Sequence, residues 1–381
     1  MARAAHLPLH PPRPGGSEPP SKGKGRGARS NATGRYESEK RETEDDGWGA
    51  TQKNDPVNDG EELPPLRTEV TLESPKKIIT FNNSPYVGFD RSINPYRGCE
   101  HGCIYCFARP SHAYMGLSPG IDFETRLFAK PSAQRLLEKE LADKNYRPRV
   151  IAMGTNTDPY QPIERKFQIM RGILSVFSKF NHPVTILTKA HLITRDLDIL
   201  EPMAKKNLTR AMLSITTQDK TLARSMEPRA SSPPKRFEAI KRLVDAGVQV
   251  GIMTGPMIPG LNDDEMETIM EKAADLGASF SAHTILRLPL EVSPLFQEWL
   301  EAFAPNRANR IMRHIRDMNG GRDYDPQWSR GRDIKTPYAK LINQRNAAMR
   351  AKLGFNRERA KLDLSLFRVP VEISGQMDLF A

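Results

Sequence analysis

All three cysteines of this 381-residue chain fall within one stretch, NPYRGCEHGCIYCFARP, at Cys99, Cys103 and Cys106. Thiolates in C-x₃-C-x₂-C spacing can face one centre from a single loop, and soft sulfur suits zinc or an iron–sulfur cluster. A structural zinc site wants four protein ligands, and His101, between the first two cysteines, could serve as the fourth. An iron–sulfur cube also has four metal corners, and three cysteines leave one iron without a protein ligand. An open iron of that kind is a place to bind and reduce something. The spacing alone leaves both centres open. A disulfide framework cannot be built from three clustered thiols, which fit a reducing compartment better.

The rest of the chain must hold this loop in place. Its length allows one large domain or two smaller ones. No apolar run approaches a membrane span, and the opening MARAAHLPLHPPRPGGSEPP has no continuous apolar segment of the secretory kind. The expected location is the cytoplasm. The formal net charge of +11 is uneven: residues 1–35 sum to +6, residues 36–65 to −7, and residues 305–361 to +10. A basic zone of that density attracts polyanions, and it reads equally well as a solvated helical surface.

Residues 1–65 are rich in Pro, Gly, Ser and charge and lack apolar periodicity, so they read as a disordered tail. A strand-like stretch then leads into the cysteines. Beyond them, helical and short apolar segments alternate. The strands are PRVIAMGT, PVTILTK, TRAMLSIT, VQVGIMTG and SFSAHTIL, and the helices include AQRLLEKELADK, QIMRGILSVFSKF and PKRFEAIKRLVDAG. Short apolar strands without clean alternation are expected where helices cover a parallel sheet. Six β/α units imply right-handed crossovers. Polar residues follow nearly every strand (Cys99, Asn156 and Asp158, Lys189, Ser214 and Thr216) and Pro256 follows the fifth. In a barrel such ends converge on one mouth. The expected fold is therefore α/β, a partial (β/α)6 TIM-type barrel, in preference to a doubly wound sheet. No G-x-G-x-x-G follows the first strand, which counts against a dinucleotide fold. The domains expected are a tail at 1–65, a core barrel at 66–295 and a basic, mainly helical extension at 296–381.

With Tyr105 in its aromatic slot, the cysteine loop resembles the C-x₃-C-x-aromatic-C signature of the radical S-adenosylmethionine (radical SAM) superfamily, over roughly residues 80 to 295. Within it the chain is similar to the spore photoproduct lyase-like branch. The resemblance implies a [4Fe–4S] cluster on Cys99, Cys103 and Cys106, and S-adenosylmethionine chelating the open iron. It also implies a reducing partner of the flavodoxin or ferredoxin kind. Electron transfer then cleaves the sulfonium to methionine and a 5′-deoxyadenosyl radical, which abstracts hydrogen. Motif by motif, TNTDPYQPIE offers Thr157 and Asp158 near the methionine amine, and LTKAH offers Lys189 to its carboxylate. LSITT supplies Ser214, MEPRASSP supplies Glu227, Tyr105 joins the cofactor-binding set, and MIPGLND lies near the adenine. A zwitterion with a cationic sulfur needs a cation for its carboxylate and acceptors for its amine and hydroxyls.

The likeness fails where that lyase needs a thiol hydrogen donor and tyrosine partners. The thiol position falls near Thr155, this chain has no fourth cysteine, and Phe107 follows the third. Spore photoproduct repair by that route is not expected. Basic residues interleaved with Tyr324, Trp328, Tyr338 and Phe355 suggest nucleic acid as a substrate class, with a helical cap on the barrel as the plainer account. The competing function is a non-catalytic nucleic-acid-binding protein with a zinc or cluster site. An ordinary (β/α) hydrolase finds no nucleophile–base pair.

Overall fold

Each of the five apolar runs becomes a strand followed by helices that cover the sheet, and the stretch leading into the cysteines supplies a sixth strand. The computed structural model describes residues 25–37, 66–83, 87–326, 336–355, 357 and 361–371. The strands are β1 (Arg91–Ile93), β2 (Ile151–Met153), β3 (Val184–Thr188), β4 (Thr209–Ser214), β5 (Gln249–Met257) and β6 (Phe280–Ile285). They pair in chain order and all in parallel. A short strand, Thr80–Phe81, lies antiparallel on the outer edge of β1. Among the described residues β6 does not pair back to β1, so the sheet is a barrel with an open seam, as expected.

The covering helices are α1 (Ala133–Leu141), α2 (Ile169–Lys179), α3 (Leu197–Lys205), α4 (Pro233–Asp245), α5 (Met266–Asp275) and α6 (Val292–Phe303). In α2 the buried residues are Ile169, Met170, Ile173, Leu174, Val176 and Phe177, one stripe at helical spacing. The strands show more alternation than their apolar content suggests. In β3, Val184, Ile186 and Thr188 are buried while Thr185 and Leu187 are half-buried. The first set faces the helices and the second the barrel lumen, and Lys189 continues the lumen parity. β5 runs through Pro256 rather than ending before it. Only β6 pairs that last part, Ile285 opposite Met257, which leaves the Gly255 carbonyl free to accept from Ser214 Oγ at 3.3 Å.

Among the described residues the helices of the C-terminal extension are α7 (Pro305–Met318) and α8 (Pro337–Lys352), with Gly320 and Gly321 in the turn after α7. The helix α8 packs against β6 and α5, and His283 Nε2 meets Asn343 Oδ1 at 2.7 Å. Residues 361–371 then run under the opposite end of the barrel. Asn207 Nδ2 donates to Lys361 O at 2.7 Å, and Arg368 N donates to Phe180 O at 3.0 Å. The expected tail at 1–65 differs from the structure over residues 25–37, which are seated against the cysteine loop; the rest of that tail lies outside the described residues. No helix of the described residues is long and apolar enough to cross a membrane.

Two buried histidines make this packing sensitive to acid. His182 donates from Nδ1 to Pro183 O at 3.0 Å and accepts at Nε2 from the Tyr146 hydroxyl at 2.7 Å. Burial pushes His182 down to about 3 and His112 down to about 4, from an ordinary value of 6.5. Below pH 6.5 the unfolded chain gains protons that the fold refuses, so stability falls as pH drops toward those values. At pH 5 the expected loss is about 2 kcal/mol for each histidine. Urea unfolding of metal-free protein at pH 7 and pH 5 measures it. His182→Gln is expected to shrink the difference between the two pH values by about half, and an unchanged difference would remove His182 as its cause.

Candidate active site

The cysteine loop leaves a short strand, Tyr96–Arg97, just past β1, and is fixed through its backbone. Cys99 N donates to Phe123 O at 2.9 Å, and Ile104 N donates to Met226 O at 3.0 Å. The Gln161 side chain accepts from Glu100 N at 2.8 Å and donates to Gly98 O at 3.1 Å. Arg109, fully buried, donates to the carbonyls of Gly102 at 3.2 Å and Cys103 at 3.0 Å. All three cysteines are free thiols; Cys99 and Cys103 are buried and Cys106 half-buried. Burial pushes the Cys103 thiol up to about 12, with Lys189 opposing and Glu227 adding to the rise. Burial also raises Cys99, with Asp158 and the other two thiols acting in the same direction. A metal centre there would release protons as it forms.

The donor set fits a cluster better than a single ion. Among the described residues no three His, Cys, Asp or Glu side chains converge as one-ion ligands. A zinc ion needs its ligands within about 2.0–2.3 Å of one point. His101, the fourth zinc ligand that the sequence offers, is turned to Asp158 instead, with Nδ1 3.4 Å from Oδ2.

Asp158 is an organiser of the mouth. Its Oδ1 accepts from Thr188 Oγ1 at 2.7 Å and Tyr160 N at 2.9 Å, and its Oδ2 from Lys189 N at 2.8 Å. Burial alone would raise its pKa, but His101 and these donors outweigh it and hold the carboxyl down at about 2. Thr157 donates from Oγ1 to Tyr96 O at 3.1 Å. Ser214, at the end of β4, is buried and receives Arg236 Nη1 on its carbonyl at 3.0 Å. Lys189 is different. Its Nζ lies 5.7 Å from the Tyr105 ring centroid and has no ion-pair partner among the described residues. Burial opposes its charge, but the Cys103 thiol and Glu227 outweigh that and keep it above the ordinary lysine value.

Glu227 sits beneath that lysine in a closed network. Its Oε1 accepts from Tyr105 Oη and from Thr216 Oγ1, the latter at 2.7 Å, and Arg236 Nη2 donates to its Oε2. Arg236 comes from the first turn of α4 and also donates to Ser231 O at 2.7 Å. Burial would raise Glu227, yet Arg236 and Lys189 hold it down at about 2.

The sequence candidates Tyr105, Thr157, Asp158, Lys189, Ser214 and Glu227 therefore lie at the strand ends on the cysteine-loop side. Most have polar atoms bonded to each other or to backbone; Lys189 is the one with a free charged end. Residues that sequence reasoning missed are Arg236, Gln161, Arg109 and Asn94. Asn94 Oδ1 accepts from Asn156 N at 3.1 Å, tying the loop after β2 to the end of β1. Asn94 and Gln161 stand inside quoted motifs, but nothing in their spacing marks them.

Comparison with known proteins agrees with this arrangement. The family model of the Radical SAM superfamily matches residues 93–273, which run from the end of β1 into α5. An uncharacterized protein of Mycobacterium tuberculosis strain H37Rv is 30% identical over 272 residues, 71% of this chain and 76% of that protein. An uncharacterized protein of Methanocaldococcus jannaschii is 30% identical over 200 residues, 52% of this chain and 71% of that one. Among solved structures, spore photoproduct lyase complexed with dinucleoside spore photoproduct is similar with a TM-score of 0.46 and 15% identity, over 62% of this chain and 66% of that one. Superfamily membership implies an iron–sulfur cluster, S-adenosylmethionine and a source of electrons. With the cysteine loop at the head of a six-stranded parallel half-closed barrel and these relatives along most of its length, the chain belongs to the radical SAM superfamily.

Proposed function

We propose that this chain is an enzyme that holds a [4Fe–4S] cluster on Cys99, Cys103 and Cys106 and reductively cleaves S-adenosylmethionine. One electron from a flavodoxin- or ferredoxin-like donor splits the sulfonium into methionine and a 5′-deoxyadenosyl radical, which takes a hydrogen atom from the substrate. The carrying observation is a cation beside free thiols: the Lys189 ammonium stands over Tyr105, which lies between two of the cysteines in the sequence, and has no ion-pair partner among the described residues. In this reading Lys189 meets the methionine carboxylate. Ser214 and Thr157 line the cofactor's polar edge, and Asp158 holds the Lys189 backbone and His101 in place. Tyr105 and Glu227 support the lysine from below. Residues 66–295 would form the catalytic unit, with 296–381 as its extension. Anaerobic incubation with dithionite and S-adenosylmethionine tests the reading. Formation of 5′-deoxyadenosine is the expected result, and its absence from cluster-loaded protein would defeat it.

Nucleic acid is the substrate class we propose, on a narrower basis than the net charge gives. Part of the extension's charge is taken up by the barrel. Arg345 pairs with Glu267 at 2.6 Å and Lys352 with Glu271 at 2.8 Å, both acids on α5, while Arg316 pairs with Asp323 of the extension itself at 2.7 Å. Arg310 and Arg313 on α7 remain exposed and make no ion pair among the described residues. Phosphate contacts release counterions, so binding of single-stranded RNA or DNA is expected to weaken steeply with salt. Reversing both charges, Arg310→Glu with Arg313→Glu, should flatten the log–log slope by about 1.4. A full chain that binds neither polymer at low salt would make the extension a cap alone.

A further inference from the structure

The segment that reads as loose tail is bound to both sides of the barrel's open seam. On the β1 side, Gly27 N and Ala28 N donate to the two oxygens of the Glu124 carboxylate at 2.8 Å each. Arg26 Nη1 donates to the Glu124 carbonyl at 2.8 Å, and Asn31 exchanges two 2.9 Å hydrogen bonds with Asp122. On the β6 side, Ser30 Oγ donates to Glu298 of α6 at 2.7 Å, and Arg35 pairs with Glu291, just before α6, at 2.5 Å. Arg35 also lies 5.3 Å from the Tyr36 ring centroid, and Tyr36 stacks on Tyr114.

Glu124 transmits this seating to the cysteine loop. It is fully buried, and its third side-chain partner, the one that carries a charge, is Arg109 Nη2 at 2.5 Å. Arg109 in turn holds the Gly102 and Cys103 carbonyls. The backbones also touch directly. A Cβ on Gly27 would stand 1.8 Å from the Gly102 carbonyl oxygen, so no larger residue fits there without moving the loop. Gly102 has φ +66°, and a Cβ there would lie 2.6 Å from Glu124 Oε2. Without the two strap N–H groups, the Glu124 carboxylate would lose two of its three hydrogen-bond donors among the described residues and would hold Arg109 less firmly.

We infer that residues 26–31 are a strap that positions the cysteine loop through Glu124 and Arg109, so that retention of the cluster depends on the strap being seated. This rests on the assignment of Cys99, Cys103 and Cys106 as cluster ligands, and the groups involved are positioning residues, none of them a ligand. Groups that orient metal ligands from behind typically alter metal retention by about 10- to 100-fold when removed.

The test uses the full chain with Gly27→Ala, which pushes the strap off by overlap, and Arg26→Ala, which only removes donors. Two readouts are taken. In metal-free protein, hydrogen exchange at the amides of residues 99–106 is expected to speed up in both variants while the unfolding midpoint stays close to that of the parent. In anaerobically loaded protein, loss of the cluster absorbance to a chelator is expected to run about 10- to 100-fold faster, with an altered EPR signal of the reduced cluster. Unchanged exchange at residues 99–106 in both variants overturns the strap, even if no iron binds at all. An unchanged chelation rate in a loaded variant overturns it too. So does a loss that merely follows a lowered unfolding midpoint, which marks a general packing defect. If instead the parent takes up no iron while the exchange result holds, the ligand assignment has failed and the strap has not.

Discussion

Alanine at Cys99, Cys103 or Cys106 is expected to abolish both the visible absorbance of the cluster and all cleavage of S-adenosylmethionine. Each thiolate would hold one iron, and the sequence contains no other cysteine. Substitution by a neighbour is blocked by geometry. His101 is engaged with Asp158, and the loop backbone is pinned by Gln161 and Arg109. A shift that brought another donor into place would have to break those buried contacts. The measurement is metal and sulfide content after anaerobic reconstitution, with 5′-deoxyadenosine as the activity readout. The parent is expected to hold about four irons and four sulfides. A full cluster in any single variant would defeat the ligand assignment, and one zinc per parent chain would point to the competing binding protein.

The parts of this protein that repeat or cluster were legible in its sequence. Five apolar runs between helical segments give five of the six parallel strands, because a strand covered by helices needs apolar residues almost throughout. The cysteine spacing marks the loop, since few other chemistries need that pattern. What was not legible depends on contacts between distant segments. RGARSNATGRYE has the composition of a loose tail, and its order comes from donating N–H groups to Glu124, some ninety residues away. The Arg109–Glu124 pair joins two short helical turns, Arg109–Met115 and Asp122–Thr125, with no periodicity to suggest it. Net charge overstated the extension: a count within it cannot show that Arg345 and Lys352 face acids of α5. Glu227 stood out beside the motif, but nothing nearby showed that Arg236 would reach back from α4 to take its carboxylate.

That pair separates two roles that the sequence had merged, and the separation can be measured. Lys189→Ala is expected to weaken S-adenosylmethionine binding by about ten-fold or more while the cluster still assembles. An ammonium–carboxylate contact in a partly desolvated mouth contributes about 1.5–3 kcal/mol. The substitution leaves no buried charge unpaired, because Glu227 keeps Arg236, Thr216 and Tyr105. Unfolding stability should therefore change little. Arg236→Ala should act the other way. It removes the one ion-pair partner of a fully buried carboxylate, and such a loss typically costs about 3–5 kcal/mol. Glu227 would then have to take up a proton, releasing Tyr105 and Thr216 from their present acceptor. Equilibrium unfolding and cofactor titration of the two variants give the pattern. Unchanged affinity in Lys189→Ala would show that the ammonium points away from the cofactor. Full stability in Arg236→Ala would show that Glu227 does not need its partner, and would return it to the list of groups free to meet S-adenosylmethionine.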